Sequence, residues 1–161
     1  MKKSLFLIAF AFILCDSVAQ DNVFTFTGYT DCYYTTDNDK NSDDKYGNHP
    51  VRKYASINNM KDRFGLNIAY IALAAKSENY RSKVGLQYGS IPDNVYYEEP
   101  KYLQQANIGV RLVDKLWFDA GFFTTHIGGE ATHPRYNFIT SHSMATFYEP
   151  TYHSGAKLSY D

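Results

Sequence analysis

Tyr80-Arg81-Ser82-Lys83-Val84-Gly85-Leu86-Gln87-Tyr88-Gly89 alternates with a period of two. In an extended chain successive side chains point to opposite faces. Tyr80, Ser82, Val84, Leu86 and Tyr88 therefore share one face, and Arg81, Lys83, Gly85, Gln87 and Gly89 share the other. One face suits hydrocarbon and the other suits water. At about 3.4 Å per residue and a tilt of about 40°, Tyr80 and Tyr88 lie roughly 21 Å apart along a membrane normal, close to the roughly 25 Å apolar band of a transmembrane barrel.

Working outward, the same period recurs. Residues 23–34 set Phe24, Phe26 and Cys32 against Thr25, Thr27, Tyr29 and Asp31. Residues 104–113 set Ala106, Ile108, Val110 and Leu112 against Gln105, Asn107, Gly109 and Arg111. Residues 116–123 set Leu116, Phe118, Ala120 and Phe122 against Trp117, Asp119 and Gly121, and residues 151–160 set Tyr152, Ala156, Leu158 and Tyr160 against His153, Gly155, Lys157 and Ser159. Residues 64–74 put Phe64, Leu66, Ile68 and Tyr70 opposite Gly65 and Asn67, although the second half of that run is apolar on both sides. No segment sustains the three-and-four spacing of an amphipathic helix.

The connections alternate in length: residues 35–63, 75–79, 90–103, 114–115 and 124–150. Long, short, long, short, long is the pattern of extended outer loops and tight periplasmic turns. The predicted fold class is all-β, an antiparallel transmembrane β-barrel of which about six strands are visible. A secreted soluble β-sandwich or small barrel that binds a ligand or glycan is the alternative, and it would need its Tyr, Phe and Leu residues buried against one core.

The ends and the composition agree with export. Lys2 and Lys3, an apolar run over residues 5–14, and small Ser17 and Ala19 have the three parts of a secretory signal, with cleavage predicted after Ala19. The run is too short for a membrane-spanning helix, which needs about 20 apolar residues. A lipid anchor on Cys15 is disfavoured by bulky Leu14 before it. Removing residues 1–19 leaves Cys32 alone, so no internal disulfide is available, and residues 20–161 form the predicted barrel portion.

The 161-residue chain carries 16 Lys and Arg against 17 Asp and Glu, with no clustered basic face of the kind nucleic acid requires. Its 15 Tyr and 11 Phe sit in a chain whose mean hydropathy is −0.43. A barrel with alternating lipid-facing and water-facing residues has that combination.

In order along the chain stand Gly28-Tyr29-x-Asp31-x-Tyr33-Tyr34, Phe64-x-Leu66-Asn67, Gln105-Ala106-Asn107-Ile108-Gly109-Val110 and Leu116-Trp117-Phe118-Asp119-Ala120-Gly121-Phe122-Phe123. His126-Ile127-Gly128-x-Glu130, Asn137, Ser141-His142-Ser143, Pro150 and Gly155-x-Lys157-Leu158-x-Tyr160 follow. This ordered set resembles the OmpL-like group of β-barrel porins of Gram-negative bacteria. The resemblance implies an outer-membrane barrel with a water-filled interior, in chains longer than this one. Single-chain barrels begin at about eight strands, so a stop at Asp161 after a sixth strand is read as a partial chain, or else two further strands lie in the long loops. Residues 154–160 also have the form of the terminal strand signal that barrel-assembly machinery reads, with trailing Asp161 against it.

The expected function is passive diffusion of small polar solutes, with no catalysis, cofactor or metal. Asp31, Asn67, Arg81, Lys83, Gln87, Asn107, Arg111, Asp119 and Lys157 are the predicted pore-lining residues. The excess of Arg81, Lys83, Arg111 and Lys157 over Asp31 and Asp119 suggests an anion preference, against the plainer reading that such charges only keep water in the pore. The connection over residues 124–150, with Gly128, Gly129, Glu130, Arg135 and Asn137, is either an inward-folded constriction or a solvated surface loop.

His126, His133, His142 and His153 with Glu130 lack the i, i+4 spacing of a zinc site. Ser141 or Ser143 with His142 and Asn137 resembles the Ser-His-Asn set of an outer-membrane phospholipase, but neighbours on a strand face opposite ways. The expected partners are outer-membrane lipids, small polar solutes and the machinery that inserts barrels, with homo-oligomers left open and no nucleic acid.

Overall fold

The computed structural model describes residues 23–36, 38, 52, 55 and 57–161. The predicted signal peptide and most of the first long connection lie outside the described residues. Six strands follow one another: β1 Val23–Thr35, β2 Arg63–Lys76, β3 Tyr80–Tyr88, β4 Leu103–Val113, β5 Leu116–Thr124 and β6 Tyr152–Tyr160. Each pairs antiparallel with its sequence neighbour, giving one open sheet in the order β1-β2-β3-β4-β5-β6. Among the described residues the outer edges of β1 and β6 pair with no strand.

The short connections are tight because local polar groups satisfy them. In the β2–β3 turn the Ser77 amide donates to the Tyr80 carbonyl at 2.9 Å, and the Ser77 hydroxyl accepts from the Tyr80 amide at 3.2 Å. In the β4–β5 turn Lys115 takes the left-handed conformation, φ 62°. The β3–β4 connection, in which alternation predicts no helix, contains a short one, α1 Ser90–Val95. Gly89, read as the last strand residue, is instead the residue that enters α1. Its φ of +136° suits glycine, and a Cβ there would come 2.6 Å from the Asn67 carbonyl oxygen.

The two faces of the sheet differ sharply. Phe26, Phe64, Ile71, Leu73, Val84, Leu86, Ile108, Val110, Phe118 and Leu158 stand on one face, and all are exposed. Cys32 shares that face. In water each such side chain left uncovered forfeits about 1.5–3 kcal/mol, and a patch spanning six strands far exceeds the few hundred Å² tolerated on a soluble monomer. Where the strands meet the long connections, aromatic pairs edge this face: Tyr34 with Phe64 at 5.3 Å, Tyr88 with Tyr102 at 6.2 Å and Phe122 with Tyr152 at 4.5 Å between ring centroids.

The other face is covered by the long connections. Ile57 from the first and Ile91 from α1 pack with Ile68, Tyr70 and Ala72 of β2 into a small core, flanked by Tyr29 and Val95.

Strand β2 departs from simple alternation. Alternation groups Ile68 and Tyr70 with Phe64 and Leu66, yet they are buried on the covered face at 0% and 4% exposure while Phe64 is 83% exposed on the bare one. Asp31 pairs with Ile68 and Cys32 with Leu66, so Asn67 is an extra residue in β2. Such a bulge reverses the facing of everything beyond it. Tyr70 consequently stands beside its partner Tyr29 on the covered face.

A polar cavity under the β5–β6 connection as candidate functional site

The rows of side chains across the covered face are set by register. Arg81, Gly109, Asp119 and Lys157 form one row, and Lys83, Asn107, Gly121 and Gly155 form the next. Two rows nearer the long connections, Tyr29, Tyr70 and Gln87 stand together. A second bulge adds to that row: Gly85 pairs with Gln105 and Leu86 with Leu103, leaving Gln104 as the extra residue, 2% exposed and turned into the covered face.

Amide groups bind this row together. Gln104 Nε2 donates to Gln87 Oε1 at 3.0 Å, Gln87 Nε2 donates to the Lys101 carbonyl at 2.9 Å, and Gln105 Nε2 donates to the Tyr70 hydroxyl at 3.3 Å. Tyr70 fits because its neighbour is glycine: a Cβ on Gly85 would come 2.8 Å from the Tyr70 ring.

The β5–β6 connection folds onto this row as a self-stapled unit. Asn137 Oδ1 accepts from the Ala131 amide at 2.7 Å while its Nδ2 donates to the Ala131 carbonyl at 2.9 Å. The Glu130 carboxylate accepts from the Thr146 hydroxyl at 2.5 Å and from the Ser143 amide and hydroxyl at 2.9 and 3.1 Å. These bonds, that of Thr146 foremost, hold its pKa below the usual carboxylate range. His142 Nε2 bonds the Ala131 carbonyl at 3.1 Å, and burial lowers its pKa.

That stapling delivers His133 and Arg135 to the sheet. The His133 ring stacks on Tyr29 with centroids 5.0 Å apart and meets Tyr70 edge-on at 4.6 Å. Its Nε2 lies 3.0 Å from Gln104 Nε2. An amide nitrogen only donates, so the imidazole accepts there and is neutral. Burial, reinforced by Lys83 and Arg135, pushes its pKa down to about 4. The Arg135 guanidinium lies 5.5 Å from the Tyr29 ring centre and 5.2 Å from that of Tyr136. Between loop and sheet remains a cavity of about 320 Å³, lined by Tyr29, Tyr70, Lys83, Gln104, Gln105, Glu130, His133, Arg135 and Tyr136 among others.

The nine residues expected to line a pore all project from the covered face, but most are engaged. Arg81 donates to both carboxylate oxygens of Asp119 at 2.7 Å, stacks over Trp117 at 4.5 Å and reaches Asp161 at 3.4 Å. Ser159 adds a 2.8 Å bond to Asp119. Arg111 bonds Glu78 at 2.7 Å beside the β2–β3 turn, and Asn107 Nδ2 donates to the Phe122 carbonyl at 3.2 Å. Asn67, 1% exposed, donates to Asp31 at 2.7 Å and to Asn58 at 2.6 Å. Lys157 Nζ lies over the Phe123 ring at 4.6 Å.

Gln87 is 3% exposed within the amide row, and Lys83 faces the cavity. Of the three residues assigned to a constriction loop, Arg135 faces the sheet, Glu130 touches the cavity while holding the loop together, and Asn137 staples the loop.

Sequence reasoning missed His133, Gln104 and Tyr70 as members of this site. In the sequence His133 stands out only as a possible metal ligand, and among the described residues no group of three or more His, Cys, Asp or Glu is placed to hold a metal. Gln104 and Tyr70 depend on bulges, which leave no mark in the alternation. The Ser-His pairing is replaced by other bonds: Ser143 serves Glu130, and His142 serves Ala131.

Residues 23–161 match the protein family described as "Putative beta-barrel porin-2, OmpL-like". No match was found among curated proteins or among solved structures. With its six-stranded antiparallel sheet and its match over nearly the whole chain, this protein belongs to the OmpL-like family of β-barrel porins.

Proposed function

We propose that the protein is a porin-type channel of the Gram-negative outer membrane, exported through a signal cleaved after Ala19, through which small polar solutes diffuse without turnover chemistry. The observation that carries this reading is the contrast between the two faces. Apolar side chains stand exposed on every strand of the bare face, whereas the covered face carries amides, hydroxyls and charges around a polar cavity. Lipid is the medium that satisfies the first face and water the second.

In this reading β1 and β6 pair with further strands. An open edge in hydrocarbon would leave unpaired backbone groups, each costing several kcal/mol, and six strands are fewer than the roughly eight at which barrels begin. Outer-membrane lipids and the barrel-insertion machinery are the partners that such a fold requires. The test is reconstitution of the full-length protein into planar bilayers. Discrete, non-rectifying conductance steps that scale with salt are expected, together with heat-modifiable migration on gels after refolding in detergent. Soluble monomeric behaviour without detergent, or bilayers that stay electrically silent, would refute the reading.

A further inference from the structure

We infer that the cavity under the β5–β6 connection is a selective binding site for a small solute that joins a carboxylate to a flat ring. The inference rests on the channel reading and names the solute class that the channel favours. Two cations face the cavity from opposite sides: Lys83 from the centre of β3 and Arg135 from the connection. Lys83 makes no ion pair among the described residues, in contrast to Arg81 with Asp119 and Arg111 with Glu78. The one carboxylate in the lining, Glu130, already accepts bonds from Thr146 and Ser143.

His133 is neutral and adds no charge of its own, being held so by burial and by both cations. Two cations against one carboxylate leave the lining net positive, and low-dielectric walls strengthen the field.

The remaining walls are rings and amides. Tyr29, Tyr70, His133 and Tyr136 offer π faces and edges, with His133 already set at 4.6–6.0 Å from the three tyrosines. Gln104 and Gln105 supply amide groups at the rim. A volume of about 320 Å³ stands at the small end of the roughly 300–1,000 Å³ typical of small-molecule sites. A carboxylate would take charge-assisted hydrogen bonds from Lys83 and Arg135, and a ring would meet the open surfaces of the tyrosines in the lining, of which Tyr136 is 67% exposed. A neutral solute of the same shape gains only the second of these.

The experiment uses the full-length protein in planar bilayers, with benzoate as probe and benzamide as its neutral counterpart. Benzoate is expected to interrupt the current at concentrations at least about tenfold lower than benzamide, the factor expected from one charge-assisted hydrogen bond. Lys83→Met and Arg135→Gln should each remove most of that difference, and Lys83→Arg should retain it. Tyr29→Ala should weaken block by benzoate while leaving the weaker effect of acetate unchanged.

Equal block by benzoate and benzamide overturns the inference, as does block that survives both cation substitutions, and in either case the channel reading stands. A wild-type protein that conducts nothing removes both. Should the variants fail to fold, the wild-type comparison of benzoate with benzamide decides alone.

Discussion

Replacing Val84 with arginine separates a lipid-facing sheet from a soluble one. Val84 is the central residue of β3, half exposed on the bare face between its register partners Leu73 and Ala106. An arginine at the midplane of a transmembrane barrel's lipid face costs about 2–4 kcal/mol, equivalent to a roughly 30- to 900-fold shift in the folding equilibrium. On a soluble protein the same change at an exposed position stays within about 0.5 kcal/mol. Thr27 on β1 supplies the control, because it borders the polar cavity, and arginine there should cost less than about 1 kcal/mol.

The assay is reversible unfolding of the full-length protein in phospholipid vesicles against guanidinium chloride, with free energies taken from midpoints at unchanged slope. A Val84→Arg protein as stable as wild type would refute the assignment of faces, and so would a Thr27→Arg protein as destabilised as Val84→Arg.

Two further outcomes follow from the buried polar groups. Arg81→Leu strands the Asp119 carboxylate, 3% exposed, with Ser159 as its remaining hydrogen-bond donor and Lys157 as the neighbouring cation. It should lower stability by about 3 kcal/mol in the same titration, and an added Asp119→Leu should restore most of the loss, since removing both ends of a buried pair leaves no stranded charge. Between pH 6.5 and about 4, His133 is neutral in the folded protein while the unfolded chain takes up its proton. The stability it contributes is thus present above pH 6.5 and lost as pH falls toward 4; His142, also lowered, acts in the same direction. The unfolding midpoint should drop across that window in wild type and drop less in His133→Gln, and identical pH profiles would exclude a role for this imidazole.

Much of this architecture is written in local periodicity. The facing of Arg81 against Val84, of Asp119 against Phe118 and of Lys157 against Leu158 follows from alternation alone, because a strand has only two sides and unlike solvents on each. The lengths of the connections are equally legible, since turn residues and polar runs interrupt the alternation where strands end. The charges on the covered face can also be located this way.

What the charges do there is a different matter. That Arg81 is spent on Asp119, 38 positions away, and that Lys83 is left facing a cavity depend on cross-strand register, which shifts once in each of the β1–β2, β3–β4 and β4–β5 pairings. Around Asn67 the sequence offers no signal, because residues 69–75 are apolar on both faces and a one-residue slip leaves their pattern unchanged. The contact of His133 with Tyr29 and Tyr70 joins residues more than sixty positions apart. It exists because Glu130, Asn137 and His142 staple the connection into a shape that lays one ring on the sheet, and only the folded chain brings those groups together.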